Sequence, residues 1–267
     1  MRWFNAMTTP VAVVTGASSG IGRALAKQLD SEGYNLVLCD VNEPALRETQ
    51  SLLKRGSQRV TLDVSKRDAV EAMAADVIAR HGRIDLVINN AGVTVDATIA
   101  EVSMEDFEWL FGINFWGVVY GTKAFLPTML AQREGTIVNL SSVFGMIGFP
   151  RQGTYNAAKF AVRGFTETLW SELEGTGVTA ISVHPGGIKT NIAKLARTNS
   201  DKAKLAADFD RAARTTPEQA AAVILRGVYE KKKRVMVGAD AQVIQLMARL
   251  LPESYPSLIR AVDKRGR

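Results

Sequence analysis

Tyr155 and Lys159 stand four residues apart in a stretch whose apolar residues, Phe165, Leu169 and Leu173, recur at helical spacing. Their side chains therefore share one helix face. A tyrosine hydroxyl ionises near ~10, too high for a base at neutral pH, and an adjacent ammonium favours the phenolate. Lowering it by about three units requires roughly 4 kcal/mol of differential stabilisation. Such a pair is common by chance and gains weight from its company. Thr15-Gly16-Ala17-Ser18-Ser19-Gly20-Ile21-Gly22 follows the apolar run Val11–Val14 and opens a segment with Ile21, Leu25 and Leu29 at helical spacing. Strand, glycine turn and helix form a phosphate-binding context: glycines admit a pyrophosphate close to the backbone, and the unpaired N–H groups at the helix start carry partial positive charge. The spacing G-x-x-x-G-x-G departs from the commoner dinucleotide fingerprint G-x-G-x-x-G, and no Gly-Lys-Ser/Thr follows to make a nucleotide-triphosphate loop. Asp40, about twenty residues on at the end of the run Leu36–Cys39, is placed to accept hydrogen bonds from both hydroxyls of an adenosine ribose and to repel a 2′-phosphate. Asn114 lies among apolar residues and needs a partner if buried. Ser141 and Ser142, at the end of another apolar run, both qualify as a hydroxyl near the tyrosine.

The elements that must position these groups alternate in type. Apolar runs at 11–14, 36–39, 60–62, 85–89, 136–140, 178–183 and 235–237 read as strands. Between them lie helical patterns, including one from Met104 to Met129, and Ser65 is placed to cap the helix carrying Val70, Met73 and Val77. Alternation of this kind argues for a parallel sheet covered on both faces. Asn90-Ala91-Gly92 follows the fourth strand and suits either a turn under a ligand or an Asx turn. His184 closes the sixth strand and reads as structural, since neither it nor His81 has metal-ligand spacing to a partner. Residues 191–216, rich in Ala, Lys, Arg and Asp after a strand's carboxyl end, suggest a mobile helical lid.

A chain of 267 residues with 46% hydrophobic and 22% charged residues matches a single α/β domain. The lone Cys39 excludes an internal disulfide, Met1–Pro10 lacks the apolar core of a signal peptide, and no run is long enough to span a bilayer; the cytoplasm is the expected compartment. Nine basic and three acidic residues between 231 and 267 account for the whole net charge of +6. Without interleaved aromatics, these charges do not point to nucleic acid.

Taken together, the turn at 15–22, Asn-Asn-Ala-Gly at 89–92, Asn114, a serine and Tyr-x-x-x-Lys at 155–159 resemble the short-chain dehydrogenase/reductase family, over about Val11 to Thr190. The resemblance implies a doubly wound, Rossmann-type sheet of about seven parallel strands with helices on both faces. Of the two serines it selects Ser142, thirteen positions before Tyr155. It implies a catalytic set of Asn114, Ser142, Tyr155 and Lys159, with Tyr155 as acid/base, Lys159 holding the ribose, and Asn114 anchoring a water that links Lys159 to solvent. It further implies a nicotinamide cofactor, NAD in preference to NADP on account of Asp40. That cofactor would be held by Gly16, Ser18, Ser19, Gly20, Ile21, Gly22, Asp40, Asp63, Val64, Asn90, Ala91, Gly92, Tyr155, Lys159, Pro185, Gly186, Ile188 and Thr190. No metal is expected. The activity implied is alcohol–carbonyl interconversion by hydride transfer. A non-catalytic nucleotide sensor on the same fold is the alternative; an epimerase or dehydratase of the longer related type normally carries a larger carboxyl-terminal substrate domain.

The apolar stretch Val143 to Pro150, with Val93, favours a lipophilic substrate. Trp109, Trp116 and Trp170 lie in helices where relatives pack subunit on subunit, which predicts a homodimer or homotetramer. In the tail 239–267, Val243, Leu246, Met247 and Leu250 form one apolar stripe and Tyr255, Leu258, Ile259 and Val262 a second, flanked by Lys231–Arg234 and by Lys264, Arg265 and Arg267. The stripes suit packing on the protein itself or a neighbouring subunit; the basic surround also suits weak peripheral contact with an anionic membrane.

Overall fold

The computed structural model describes residues 9–266, with side chains through 260. The amino-terminal residues 1–8, Val262 and the basic side chains of 264, 265 and 267 lie outside that description. Seven strands form one parallel sheet: β1 (Val11–Thr15), β2 (Asn35–Asp40), β3 (Ser57–Thr61), β4 (Leu86–Asn89), β6 (Gly135–Leu140), β7 (Val178–Pro185) and β9 (Arg234–Val237). A separate two-residue pair, β5 (Val95–Asp96) with β8 (Arg197–Thr198), stands beside it. The large sheet runs in the order β3-β2-β1-β4-β6-β7-β9. Strand order reverses between β1 and β4, which opens a crevice at their carboxyl ends, where sheets of this kind bind ligands.

Side chains alternate across the sheet because successive Cβ atoms point to opposite faces. Ala12, Val14, Leu36, Leu38, Ile88, Val138 and Val183 pack on one side with Leu25 and Leu29 of α1 (Gly20–Ser31) and Ile224 and Leu225 of α8 (Pro217–Tyr229). Val11, Val13, Val37, Val87 and Ile137 pack on the other with Val77 of α3 (Arg67–His81), Phe125 and Met129 of α5 (Gly117–Gln132), and Leu169 of α6 (Gly153–Glu172). Both faces are thus covered by helices, and the strands read as continuous apolar runs.

The differences from the sequence reading have local causes. β3 begins three residues before the apolar run and stops short of Leu62, since an edge strand paired only with β2 tolerates Ser57, Gln58 and Arg59. Ser65 does not cap α3: Lys66 occupies that position, and the Ser65 hydroxyl donates to Asp63 Oδ1 at 2.7 Å. The long helix expected from Met104 is α4 (Met104–Phe111), a five-residue π turn (Gly112–Trp116) and then α5. Within 191–216 lie β8 and α7 (Lys202–Ala212).

The tail divides. In α9 (Ala239–Leu250), Val243, Leu246 and Leu250 are 66, 57 and 65% exposed and do not pack on the sheet. In α10 (Tyr255–Gly266), Ile259 is buried and the Tyr255 hydroxyl accepts from Gly148 N at 2.9 Å. Lys231–Lys233 precede β9 whereas α9 follows it, so a strand's length separates the basic run from the α9 stripe it was expected to flank.

Candidate active site

A cleft of about 1650 Å³ opens at the carboxyl ends of β1, β4 and β6, lined by Asp40, Ser142, Tyr155 and Lys159 among others. One end is the turn between β1 and α1. A Cβ on Gly16 would lie 2.8 Å from Ala91 Cα, and one on Gly20 would lie 3.0 Å from Thr190 Cγ2. Both glycines have positive φ, 65° and 52°. Asn90 braces the turn from behind: its Nδ2 donates to Thr15 O (2.9 Å) and Gly16 O (3.1 Å). Thr15 Oγ1 accepts from Asn90 N and Ala91 N. Ser19, at the cap position of α1, makes no side-chain cap, and no acid stands in the first turn, so the helix's amino end presents its donors to the cleft. Asp40 sits beside them, accepting from Ser18 N through Oδ2 and from Asn42 N through Oδ1, each at 3.0 Å. A turn that leaves no room for side chains, a helix amino end and a fixed carboxylate together fit a dinucleotide.

The other end holds the hydroxyl groups. Ser142 leaves β6 in extended backbone and its Oγ accepts from Phe144 N at 3.1 Å. That leaves its proton to donate beside the Tyr155 oxygen, with which it hydrogen-bonds. Ser141 points the other way, donating to Lys159 O at 2.8 Å in the interior. Buried His184 holds the same segment: its Nδ1 lies 3.0 Å from the Ser142 carbonyl and its Nε2 2.8 Å from Ser182 Oγ. A carbonyl only accepts, so Nδ1 carries the proton and Nε2 accepts from Ser182. Burial pushes His184 down to about 4, and the ring is neutral at pH 7.

Lys159 Nζ lies 5.5 Å from the Tyr155 ring centre and donates to Leu140 O at 2.9 Å. Burial lowers its ammonium to about 8. The Tyr155 hydroxyl is pushed up to about 12 by burial, opposed by its hydrogen bond with Ser142. The depressed tyrosine expected from the Tyr–Lys spacing is therefore not found in the chain alone: desolvation outweighs the hydrogen bond with Ser142, and the phenol is protonated at neutral pH.

Of the residues expected to hold a cofactor, Gly16, Ser18, Ser19, Gly20, Ile21, Asp40, Asp63, Val64, Asn90, Ala91, Gly92, Tyr155, Lys159, Pro185, Gly186, Ile188 and Thr190 all line this cleft. Gly22 does not, and neither does Asn114 of the expected catalytic set. Gly22 lies behind the turn, where a Cβ would meet Gly16 O at 2.1 Å, so its part is close packing of helix on turn. Asn114, fully buried in the π turn, spends its amide on Val93, accepting from N and donating to O at 2.8 Å each. Among the polar groups lining the cleft that spacing did not single out are Asp96, Arg151 and Gln152. Arg151 and Asp96 pair across 55 residues, and no local pattern announces such a contact.

A family model for short chain dehydrogenases matches residues 10–201. The chain belongs to the short-chain dehydrogenase/reductase family. The putative oxidoreductase SadH of Mycobacterium tuberculosis is 44% identical over 259 residues, 94% of each chain. A short-chain dehydrogenase/reductase of Burkholderia phymatum solved in complex with NAD is 32% identical, with a TM-score of 0.86 over 96% of this chain and 97% of that one. A metagenomic short-chain oxidoreductase solved with NADP is 27% identical, with a TM-score of 0.72 over 87% and 98%. Solved relatives of this chain thus include one in complex with NAD and one in complex with NADP. Among the described residues, no cluster of His, Cys, Asp and Glu could hold a metal ion, and no helix is long and apolar enough to cross a membrane.

Proposed function

We propose that this oxidoreductase interconverts a lipophilic secondary alcohol and its ketone, or an alcohol and its aldehyde, with NAD as the preferred cofactor. The observation that carries the reading is the convergence of Ser142, Tyr155 and Lys159 on the cleft that also contains the glycine turn and Asp40. The bound nicotinamide supplies or takes up the hydride. Tyr155 gives its phenolic proton to the carbonyl oxygen in reduction and takes the hydroxyl proton in oxidation. Ser142 donates a hydrogen bond to the same oxygen, where negative charge develops. Lys159, beside the tyrosine ring, favours the phenolate that oxidation requires.

NAD preference is supported by the Asp40 carboxylate, fixed beside the glycine turn, which would repel a 2′-phosphate, and by nearby Arg23 being spent on Ser18 O (2.6 Å) and Glu48 (2.9 Å). Phe144 and Phe149, stacked with centroids 4.9 Å apart, and Val143, Ile192, Leu205 and Phe209 give the substrate end a largely apolar lining, which supports a lipophilic substrate. Assembly as a dimer or tetramer is supported by Trp116 and Phe160, exposed on α5's approach and on α6. The exposed α9 stripe supports weak peripheral membrane contact. The deciding experiment is Tyr155→Phe in a nicotinamide-absorbance assay over a panel of alcohols and carbonyls. Turnover is lost while NADH binding stays within about threefold of the unmodified protein. Retention of most activity removes Tyr155 as the proton donor, and a loss of binding alone favours a nucleotide sensor.

A further inference from the structure

The segment that roofs the substrate end of the cleft is attached by its ends. No residue of α7 is buried, although Lys204, Leu205, Asp208 and Phe209 face the cleft. On its carboxyl side Lys189 N donates to Thr215 O at 2.9 Å. On its amino side the chain first forms β8, paired with β5 in the register Val95↔Arg197 and Asp96↔Thr198. Here a charged group intrudes. Asp96 is buried, and its carboxylate accepts from Arg151 Nε (3.1 Å), Arg151 Nη2 (3.1 Å) and Thr198 Oγ1 (2.9 Å). Arg151 Nη2 also donates to Ser200 Oγ at 2.7 Å, one residue before Asp201, whose carboxylate caps α7. One guanidinium thus ties β5, the loop leading to Tyr155, and the start of the roof.

The backbone adds an independent sign. Arg151 has φ +63°, a left-handed conformation unfavourable for a residue that carries a Cβ. Glycine would relieve that strain, and apolar residues at both 96 and 151 would avoid burying an ion pair, which seldom adds net stability. What arginine supplies instead is a fixed geometry between segments about fifty residues apart.

We propose that Arg151 is a positioning residue for the substrate: paired with Asp96, it latches Thr198 and Ser200, and through them α7, over the substrate end of the cleft. It touches neither the hydroxyl pair nor the glycine turn, so cofactor binding is independent of it. The kinetic consequence rests on the hydride-transfer reading; the physical attachment does not.

The attachment is tested with trypsin, since Lys202, Lys204, Arg211 and Arg214 place cleavage sites throughout the roof. Arg151→Gly keeps the left-handed backbone and removes the guanidinium; Thr198→Val removes one hydroxyl and Thr198→Ser keeps it. Arg151→Gly is cut within 200–214 about tenfold faster, as expected for losing charge-assisted bonds, with Thr198→Val intermediate and Thr198→Ser unchanged. Arg151→Gly leaves the Asp96 carboxylate buried without its charge partner, so the variant's melting temperature falls. The double variant Arg151→Gly/Asp96→Asn, which leaves no such charge, is cut as fast without that fall, and this separates loosening of the roof from misfolding. With NADH and 2-octanone, KM for the ketone rises about tenfold while kcat and NADH affinity stay within about threefold. Unchanged cleavage of Arg151→Gly overturns the latch, and so does a fall in kcat at constant KM. If the unmodified protein does not turn over 2-octanone, that result counts against the lipophilic-ketone reading, and the trypsin comparison alone decides the latch.

Discussion

Asp40→Ala is the perturbation that tests the cofactor site most directly. In the native protein each carboxylate oxygen already accepts one backbone N–H, from Asn42 and Ser18, both at 3.0 Å. A carboxylate has about four acceptor positions, so about two remain for ribose hydroxyls. Hydrogen bonds to a charged group contribute about 1.5–3 kcal/mol each. A 2′-phosphate within about 4 Å of the same carboxylate is repelled by about 4 kcal/mol per unit charge at an effective dielectric of ~20, near ~10³-fold in affinity. Arg23 does not offset this repulsion, because Glu48 and Ser18 O already engage it. NADH therefore binds about 10³-fold tighter than NADPH to the native protein, and the ratio falls to within about tenfold in Asp40→Ala. The variant also leaves Ser18 N unpaired, which weakens both cofactors alike, so the ratio is the informative quantity. Fluorescence titration of both reduced cofactors at 0.15 M salt measures it. Equal affinities in the native protein, or an unchanged ratio in the variant, refute the reasoning.

Ser142→Ala lowers kcat by about 10²–10³ through loss of a donor to the developing oxyanion. Ser141→Ala instead costs about 1–3 kcal/mol of stability, because Lys159 O loses a buried donor; a larger loss of turnover in Ser141→Ala would reverse the two assignments. Because the folded His184 is held at about 4 and the unfolded side chain titrates near ~6.5, the unfolded chain takes up that proton first as pH falls. Stability attributable to this ring is intact above ~6.5 and declines by about 1.4 kcal/mol per pH unit down to about 4; urea unfolding of His184→Gln lacks that component. Sedimentation at micromolar concentration shows a dimer or tetramer, and a charge in place of Trp116 or Phe160 shifts it to monomer. Anionic vesicles retain a fraction of the protein, and Leu246→Glu with Leu250→Glu abolishes that retention; no binding by the native chain withdraws the membrane contact.

Much of this molecule is legible in its sequence because the relevant patterns are local. A run such as Val11–Thr15 buried on both faces has few conformations open to it, and the glycine turn that follows it is legible from its spacing together with the motifs that accompany it. Tyr155 and Lys159 share a helix face for the same reason. What depends on segments far apart in the chain is decided by the tertiary structure. Burial, not the neighbouring lysine, sets the state of the tyrosine, pushing its hydroxyl up to about 12. Asn114 turns its amide to Val93 because the π turn faces it that way. Ser142 and Ser141 separate because adjacent residues at a strand's end point to opposite sides, and only the fold says which side holds the cleft. Arg151 meets Asp96 and Ser200 across separations of 55 and 49 residues, a juxtaposition that no periodicity encodes and that exists only once the sheet has brought β5, β8 and the loop before α6 to one edge of the cleft.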